Sequence, residues 1–585
     1  MNYKLRTNEE RTEKMTLKDA YLALKPLLRD EKTQLLLALF TIALTSIANL
    51  AGPVLIAKTI DTYIVSKNFH GVLVNSGILF VIFAFGAGAQ YLQTKVMGGV
   101  GRRVLFKLRN TIFTKLQSLP VAFFNSNKSG DLISRINNDT DKLNQFFSQA
   151  LMQFVGNFFI MLGAAIFMLT LHPKLGAATL APAILVIIIT QLVSSWIKRL
   201  STKSLQSLGG MSAEIQESLA NFKVVVAFNR LDFFRTKFND ANQKNYTASV
   251  KSGIASNILI PLYGIASNAA QIVVLAYGFS LIMHSNLTFG LLVGFMLYVN
   301  NFYMPLRQLA SIWSSLQLAM ASLDRISEVL ELETTIKQME SSKKTPSGGV
   351  ITFERVFFGY SDGKDVLKDV SLTLQRGNTY ALVGPTGGGK TTTASLMARL
   401  YDPTMGTVYL DGKDIRSYSP KERAEKIGFI LQEPFLFSGT VGENILYGND
   451  SYGNHSNEKL LEILKEQGLD SLLARFENGL ETKVGAQDSI SLGQKQLIAF
   501  MRAVLRKPEI LILDEATANI DTVTEQMLEE ILKKLPKETT KVIIAHRLNT
   551  IQNADDIFFV NGGEVVHAGS FDHALEMLLH GKRTS

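Results

Sequence analysis

The pattern of charged and apolar residues divides the chain into two halves of different character. Five stretches in the first 325 residues contain no Asp, Glu, Lys or Arg, namely 33–57, 71–94, 143–171, 175–197 and 252–306. A helix needs about 20 apolar residues to cross a bilayer core of ~30 Å, so the fifth stretch is long enough for two crossings, with a turn at His284-Ser285-Asn286. The pattern predicts an all-α bundle of six transmembrane helices at about 33–62, 71–100, 143–171, 175–200, 252–283 and 287–320.

The distribution of Lys and Arg predicts the orientation of this bundle. The connections 95–142 and 198–251 are long and rich in Lys and Arg, whereas the short connections carry almost none. Basic loops stay on the cytosolic side, so the long connections and both termini are expected to be cytosolic, in a multi-pass protein of the plasma or inner membrane. Residues 16–30 have the pattern of an amphipathic helix at the lipid interface.

The second half has the composition of a soluble domain. After a transmembrane domain of residues 1–325, a charged and Gly-containing stretch predicts a linker at 326–349. From residue 350 to 585, strand-like and helix-like segments alternate, which is typical of an α/β fold. The chain has no Cys, which excludes disulfides and thiolate metal sites. Its net charge of +9 is explained by the basic flanks of the membrane spans, so nucleic acid is not expected as a partner.

A phosphate-binding loop is the strongest chemical signal in the soluble half. Residues 384–391 read G-P-T-G-G-G-K-T and follow the apolar run Thr379 to Val383, which matches the pattern G-x-x-x-x-G-K-[ST] between a strand and a helix. Backbone N–H groups of such a loop surround phosphate oxygens, the lysine contacts the β- and γ-phosphates, and the threonine ligates Mg²⁺. The predicted ATP-binding set is Gly384, Thr386, Gly387, Gly388, Gly389, Lys390, Thr391 and Thr392.

A second buried strand is predicted to complete this site. The run Ile510 to Leu513 is wholly apolar and is followed by Asp514 and Glu515. In an α/β sheet, the carboxyl end of such a strand lies beside the phosphates. Asp514 is therefore expected to hold Mg²⁺, and Glu515 to polarise the attacking water as a catalytic base.

Together these motifs resemble those of ATP-binding-cassette (ABC) exporter half-transporters, which fuse six membrane helices to one ATPase cassette. The resemblance spans nearly the whole chain. It implies that Tyr360 stacks on adenine, that Gln432 contacts Mg²⁺ and the attacking water, and that His546 is the switch residue at the γ-phosphate. Asp521 resembles the acid of the loop that crosses to the partner cassette. ATP and Mg²⁺ are the implied cofactors.

Two cytosolic segments resemble the coupling helices of that family. The first contains Phe123-Phe124-Asn125, with Gly130-Asp131 and Ser134-Arg135 shortly after it. The second spans Glu217 to Phe228, with Asn221 where the family usually has glycine. The resemblance implies that both segments dock on cassettes and transmit their closure to the membrane helices.

Three positions depart from the family pattern, and all belong to elements that face the partner cassette. The signature, usually close to L-S-G-G-Q, reads Ile490-Ser491-Leu492-Gly493-Gln494, while Ala486 and Ala518 replace a usual glutamate and serine. Ser491, Gly493 and Gln494 would still face the partner's ATP. The pattern resembles the consensus-site subunit of bacterial heterodimeric multidrug exporters, whose partner has an intact signature and a defective catalytic base. The alternatives are a homodimer that tolerates Leu492 and an ATP-gated channel or regulatory half.

The cargo is the least determined feature of the sequence. Uncharged polar residues within the spans either line a cavity or bond across helix interfaces; they are Gln153, Asn157, Asn268, Gln271, Asn300 and Asn301, with Tyr263 and Phe302 nearby. Lys58 and Asp61, one turn apart, are expected to form an intrahelical pair. The absence of charged clusters inside the spans favours a small amphipathic or hydrophobic substrate that enters from the cytosol or from membrane lipid.

Overall fold

The protein forms two compact units. The computed structural model describes residues 3–6, 16–284, 287–333, 339, 348–360, 363–449, 452, 455–485, 490–514, 521–544 and 552–580. One unit, the membrane unit, comprises Thr7–Thr114 and Gly130–Glu331. The other, the cassette unit, comprises Met1–Arg6, Lys115–Ser129 and Leu332–Ser585. The chain therefore passes between the two units at four places.

The membrane unit is helical. Within the described residues, six helical stretches are long and apolar enough to cross a membrane: Leu24–Ile64, Phe69–Gln117, Ser129–Leu171, Pro173–Ala220, Leu231–Met283 and Phe289–Glu331. Each has between 41 and 53 residues, about twice the length that a bilayer requires, so each continues well beyond the hydrocarbon core. The turn between the last two falls at the predicted place, although Ser285 and Asn286 themselves lie outside the described residues.

The individual helices of the first 331 residues are α1 (Leu17–Leu28), α2 (Lys32–Thr59), α3 (Phe69–Gln117), α4 (Val121–Ser126), α5 (Ser129–Ser134), α6 (Thr140–Gln145), α7 (Leu151–Leu171), α8 (Pro173–Ala220), α9 (Phe222–Ala227), α10 (Leu231–Asn257), α11 (Leu259–Met283) and α12 (Phe289–Glu331). Three wider π-helical turns lie within these stretches, at Ile60–Ile64, Arg135–Asp139 and Phe146–Ala150. Such turns accommodate an extra residue and are often found at functional positions.

The N-terminal end of α12 is capped by a residue from α2's extension. Asp61 accepts hydrogen bonds from the Gly290 N–H (2.7 Å) and from the Thr288 hydroxyl (2.6 Å). The expected pair between Lys58 and Asp61 is wrong, because the carboxylate is directed to the free N–H groups and positive dipole at the start of α12. This contact fastens the ends of two spans together.

Helix α12 extends further than the sequence predicts. It runs without interruption from Phe289 to Glu331, with Pro305 in its interior, so the first six residues of the expected linker 326–349 are helical. Ile326 and Val329 are fully buried near its end, and their packing holds the last turns in place. Residues 334–338 and 340–347 of the linker lie outside the described residues.

The cassette is built on two large sheets and one short two-stranded sheet. Its strands are β1 (Ile351–Gly359), β2 (Asp365–Leu374), β3 (Thr379–Val383), β4 (Met405–Leu410), β5 (Lys413–Asp414), β6 (Ile427–Ile430), β7 (Gly439–Thr440), β8 (Lys483–Val484), β9 (Ile510–Asp514), β10 (Thr540–Ile544), β11 (Asp556–Asn561) and β12 (Glu564–His567). An antiparallel sheet has the order β2-β1-β4-β5, and a six-stranded sheet has the order β12-β11-β3-β10-β9-β6. In the second sheet only β12 is antiparallel to its neighbour.

Helices pack around these sheets. They are α13 (Lys390–Met397), α14 (Pro420–Lys426), α15 (Val441–Leu446), α16 (Asn457–Glu466), α17 (Asp470–Leu473), α18 (Leu492–Leu505), α19 (Thr522–Lys534) and α20 (Phe571–His580). A first apolar core fills the space between the two sheets, and a second joins α15, α16 and α18 to β6 and β9. The parallel strands are buried on both faces, which explains the uninterrupted apolar run of β9. Their carboxyl ends lie on one edge of the sheet, where ligands bind in this class of fold.

Candidate nucleotide-binding site

The loop between β3 and α13 has the backbone of a phosphate cradle. Gly384, Gly387 and Gly389 have φ angles of +145°, +82° and +116°, which L side chains rarely adopt. At Gly384 a Cβ atom would lie 2.0 Å from the carbonyl oxygen of Val560, and at Gly388 one would lie 2.6 Å from the same oxygen. Backbone conformation therefore favours glycine at positions 384, 387 and 389, and lack of space requires it at positions 384 and 388. The loop leads directly into the N-terminus of α13, which favours an anion at that point.

Lys390 lies at the start of α13 and its side chain curls back over the loop. Its ammonium group donates to the carbonyl oxygens of Gly384 (2.8 Å) and Pro385 (3.0 Å). Although the residue is buried, its charge is solvated by these dipoles. This arrangement places a cation beside the N–H groups of the cradle, as the sequence predicts for a phosphate contact.

Thr391 and Asp514 meet across the sheet edge. The Thr391 hydroxyl donates to Asp514 Oδ1 at 3.2 Å, and Asp514 is only 1% exposed at the end of β9. Since β10 separates β3 from β9, this contact brings together residues 123 positions apart. A hydroxyl and a buried carboxylate are hard oxygen donors of the type that Mg²⁺ prefers. They fit this ion, which when bound neutralises charge on the β- and γ-phosphates.

Two other predicted contributors to catalysis lie outside the described residues. Glu515 directly follows Asp514, and His546 comes two positions after Ile544, where β10 ends between β3 and β9. Ala486 and Ala518 are likewise outside the described residues. Gln432, the third metal candidate, is exposed in the loop that follows β6. Its role as a metal and water contact stays a prediction.

Tyr360 belongs to a cluster of three aromatic rings. Its ring centroid lies 4.9 Å from that of Phe358 and 5.3 Å from that of Tyr401, both in edge-on geometry. Its hydroxyl shares a hydrogen bond with the Thr392 hydroxyl at 3.0 Å, which links the ring to the first turn of α13. The predicted adenine-stacking residue is thus held on the helix that follows the phosphate loop. Tyr401 is a contributor that the sequence does not reveal, because its contacts are made through space.

Tyr401 also contacts the first predicted coupling segment. The Asn125 amide, on α4, donates to the Tyr401 hydroxyl at 2.5 Å, and the neighbouring Phe123 is fully buried. Burial raises the pKa of Tyr401 despite this hydrogen bond, so the phenol is neutral at physiological pH. The expected docking of this segment onto a cassette is confirmed at Asn125, within the cassette unit.

The divergent signature forms the start of a regular helix. Ser491 caps α18: its hydroxyl accepts from the Gln494 N–H (3.2 Å), and Gln494 Oε1 accepts from the Ser491 N–H (2.9 Å). Leu492 is the first residue of that helix and its φ is not positive, so glycine's backbone freedom is not needed here. Its side chain is 42% exposed. The consequence of Leu492 is therefore steric: the isobutyl group occupies the surface that a glycine would leave open beside Gly493.

Asp521 has a structural role that the sequence does not predict. Its carboxylate caps α19 by accepting from the Thr524 N–H (3.0 Å) and hydroxyl (2.7 Å). The Thr524 hydroxyl bond lowers the pKa of Asp521, so it is ionised at neutral pH. Arg475 lies 3.5 Å from the same carboxylate, and its carbonyl accepts from Gln494 Nε2 (2.6 Å). Arg475 thereby links the signature to the segment before α19.

Comparison with known proteins agrees with this geometry. Residues 35–306 match the family of ABC transporter transmembrane regions, and residues 367–518 match the ABC transporter family. An uncharacterised ABC transporter ATP-binding protein of Bacillus subtilis, YfiC, is 32% identical over 94% of this chain and 91% of its own length. A fatty acid ABC transporter ATP-binding/permease protein of Mycobacterium tuberculosis is 32% identical over 82% of this chain and 76% of its own. A probable multidrug resistance ABC transporter of Bacillus subtilis, YheH, is 31% identical over 85% and 74%.

Proposed function

The chain belongs to the ABC exporter half-transporters, and on that premise we propose that it is the consensus-site half of a heterodimer that exports an amphipathic or hydrophobic substrate. It is a multi-pass membrane protein with an ATPase coupled to transport, and such halves act as dimers. In the proposed arrangement both termini are cytosolic. Cargo enters from the cytosol or inner leaflet and leaves outward.

The single observation that carries the heterodimer proposal is the side chain of Leu492. The elements that would serve this chain's own ATP come together around Lys390, Thr391 and Asp514. The surface that would cap the partner's ATP instead carries an exposed leucine. Removal of one preorganised donor lowers a reaction rate about 10²- to 10³-fold. An isobutyl group that holds the signature N–H groups away from the γ-phosphate would have the same effect, so a site capped by this signature is expected to turn over slowly. The site formed by this chain's phosphate loop and an intact partner signature would be the fast one.

Helix α9, in the second predicted coupling segment, supports the need for a second half. Val225 is buried, while Phe222, Val224, Val226 and Phe228 are at least half exposed, with Phe228 at 74%. Such an apolar tip at the junction of two cytosolic helices is costly in water and is typical of a protein contact. We infer that it docks on the cassette of the other half.

The proposal predicts that fast ATP hydrolysis requires two different halves. Mg-ATP turnover is measured in lipid for this chain alone and for this chain with a half-transporter that has an intact signature and a residue other than glutamate after its Walker B aspartate. The pair is expected to be at least ~100-fold faster, because only the pair has an intact signature opposite this chain's phosphate loop.

One control variant and two alternative outcomes complete this experiment. Glu515→Gln in this chain should remove the activity of the pair. Equal turnover by this chain alone would establish the homodimer that tolerates Leu492 and overturn our proposal. ATP binding with no turnover in either assembly would instead support a channel or regulatory half.

The proposed substrate class rests on three amide side chains of α11 and α12. Gln271 Nε2 donates to Asn300 Oδ1 at 3.3 Å, and Asn268, one turn away, is exposed, as is Asn300. Asn300 lies eleven residues from the start of α12, or about 16 Å along the helix, which is half the thickness of a bilayer core. In this pair, each amide uses only part of its hydrogen-bonding capacity. Contact of the remaining polar atoms with lipid is unfavourable, so we place both side chains at a cavity between the helices.

The other polar residues of the spans have different environments. Asn301 donates to the carbonyl of Asn49 (3.2 Å), and Thr190 donates to the Tyr263 hydroxyl (3.3 Å), so both act across helix interfaces. Asn157 has a buried amide nitrogen, and Gln153 is exposed on α7. The exposed amides on α11 and α12 are bordered by Ile272 and Met304, which are also exposed. Apolar walls with a few polar groups suit an amphipathic cargo.

Replacing both Gln271 and Asn300 with leucine is therefore expected to raise the KM for cargo about 3- to 30-fold, with little change in the maximal rate. This factor corresponds to the free energy of one or two hydrogen bonds to the cargo. Uptake of the dye Hoechst 33342 and of palmitate into inside-out vesicles would measure this for a drug-like and a lipid-like cargo. Asn301→Leu is the matched control and should lower thermal stability without changing KM. An unchanged KM for a transported cargo in the double variant would remove these amides from the proposed cavity.

A further inference from the structure

A cluster of six charged side chains joins two parts of the membrane unit that are far apart in sequence. Its ion pairs are Arg135 Nε to Asp131 Oδ2 (2.9 Å), Arg135 Nη1 to Glu328 Oε2 (2.9 Å), Arg325 Nη2 to Asp131 Oδ1 (2.6 Å), Arg325 Nε to Asp139 Oδ2 (3.1 Å) and Lys142 Nζ to Asp139 Oδ1 (3.1 Å). We call Asp131, Arg135, Asp139, Lys142, Arg325 and Glu328 the charge cluster. Three acids and three bases balance its formal charge.

The centre of the charge cluster is buried. The side chains of Arg135 and Asp139 are 3% and 1% exposed, and both lie in the π-helical turn Arg135–Asp139. Arg135 also donates to the carbonyl oxygen of Arg325 at 2.5 Å, and Ser322 donates to Asp139 at 3.2 Å. Buried ion pairs add little net stability compared with apolar packing, and in some proteins they are kept because they fix one geometry. We therefore expect these buried charges to position the two helical segments relative to each other more than to stabilise the fold.

The charge cluster lies near the points where the chain passes from one unit to the other. Asp131 lies directly after the passage at Ser129/Gly130, five residues beyond the end of α4. Glu328 lies three residues before Glu331, where the chain passes to the cassette unit. A third passage, at Thr114/Lys115, is fastened to the same stretch, because Arg109 contacts Asp141 (2.9 Å) and Thr140 (3.1 Å). Three of the four passages are thus tied to one short segment.

We propose that the charge cluster is a positioning device that makes these chain passages move as one body during the transport cycle. Without it, the coupling segment around α4 and the covalent link after α12 would respond to cassette movement separately. With the charge cluster in place, a displacement of the coupling segment or of the link after α12 moves both of them together. The proposal rests on the ATP-driven conformational cycle of the family and is independent of whether the partner is a second copy or a different chain.

The test separates ATP hydrolysis from the movement that it drives. Arg135→Gln, Glu328→Gln and the double variant are made in the full-length transporter, in the assembly that hydrolyses ATP. The double variant removes both charges of one pair and so avoids leaving a lone buried charge. Because the chain has no Cys, a spin label at Lys67→Cys on the outer α2–α3 turn, with a matching label in the other half, reports the ATP-induced distance change.

We expect the variants to keep ATP hydrolysis within about twofold of the parent and to lose at least half of the ATP-induced distance change. Arg135→Lys, which keeps the charge but not the forked geometry, should restore the movement only in part. A variant that retains the full distance change, or one that loses hydrolysis and movement in equal proportion, would contradict the proposal. The readout needs no cargo, so it stands apart from the proposed substrate class.

The matched control is the ion pair between Arg103 and Glu31 in the same unit. It is bidentate, with distances of 2.8 and 2.7 Å. Its acid, Glu31, is buried like Asp139 (6% exposed), whereas Arg103 is 51% exposed, so the pair matches the cluster in geometry and in the burial of its acid. It joins the start of α2 to α3 and lies away from the passages. Arg103→Gln is expected to lower the melting temperature without changing the ratio of movement to hydrolysis. An equal loss of movement in this control would assign the effect to general loosening of the helices and overturn the proposal.

Discussion

Replacing Glu515 with glutamine is expected to reduce steady-state ATP hydrolysis by about 10²- to 10⁴-fold, the range for loss of a general base. The residue directly follows Asp514, which the structure buries at the carboxyl end of β9 against Thr391. We propose that Glu515 is the base that activates the water attacking the γ-phosphate. Glutamine keeps the size of the side chain and removes only its basicity, so ATP affinity should stay within about twofold.

The measurement is phosphate release by the reconstituted transporter, with ATP binding followed in parallel by equilibrium dialysis. Glu530→Gln, on the exposed face of α19, is the matched control and should leave both quantities unchanged. Lys390→Ala is expected to give the opposite result, namely weaker ATP binding, because it removes the phosphate contact. If Glu515→Gln retains more than a tenth of the parent rate, the catalytic base lies elsewhere and the fast site is not on this chain.

Replacing Gly384 with alanine is expected to have the second largest effect, on folding and on ATP binding together. The added Cβ would lie 2.0 Å from the Val560 carbonyl oxygen, and the φ of +145° is strained for any L side chain. Relief requires movement of β11 or of the phosphate loop itself. Overpacking of this kind costs about 1–3 kcal/mol, and the backbone strain adds to it.

The control for this prediction is the neighbouring Gly387→Ala. Gly387 also has a positive φ, of +82°, but a Cβ there would meet no atom within 4 Å. Only the conformational cost of about 1–2 kcal/mol therefore applies. Thermal denaturation and ATP binding of the two variants measure the difference, and equal losses would show that the contact with Val560 relaxes freely.

The parts of this molecule that follow from sequence are those that depend on neighbouring residues in the chain. The membrane spans, the phosphate loop and the buried strand before Asp514 are each recognisable within one segment, and the order of the strands then brings Thr391 and Asp514 together. Parallel strands place their carboxyl ends on one edge, so this long-range contact is implied by the fold class.

The features that sequence could not predict depend on contacts through space. Asp61 has a basic neighbour one turn away, which makes an intrahelical pair the natural expectation, yet the uncapped end of α12 is a stronger partner. Nothing near Tyr401 marks it as the link between Tyr360 and Asn125. The partnership of Arg135 with Glu328 spans 193 positions and follows from no local pattern.

Leu492 is a case in which the sequence reveals a change but not its physical consequence. The departure from the signature is visible in the sequence, and it suggests two physical consequences, lost backbone freedom and lost close approach. The structure separates them, because the residue begins a regular helix and its side chain is partly exposed. Only the second consequence applies, so the signature segment of this chain differs from one with glycine in its surface shape and not in its backbone.

The proline inside α12 divides that long helix mechanically. Pro305 has no N–H to donate to the carbonyl of Asn301, so one hydrogen bond of the helix is missing between the level of Asn300 and that of Arg325. A helix of 43 residues is about 64 Å long, and bending is least costly where such a bond is absent. Helix α12 is therefore a jointed lever: the part after Pro305 can bend relative to the part before it, whose first turn is held by Asp61. The joint lies five residues beyond Asn300, the amide that we place in the cargo cavity.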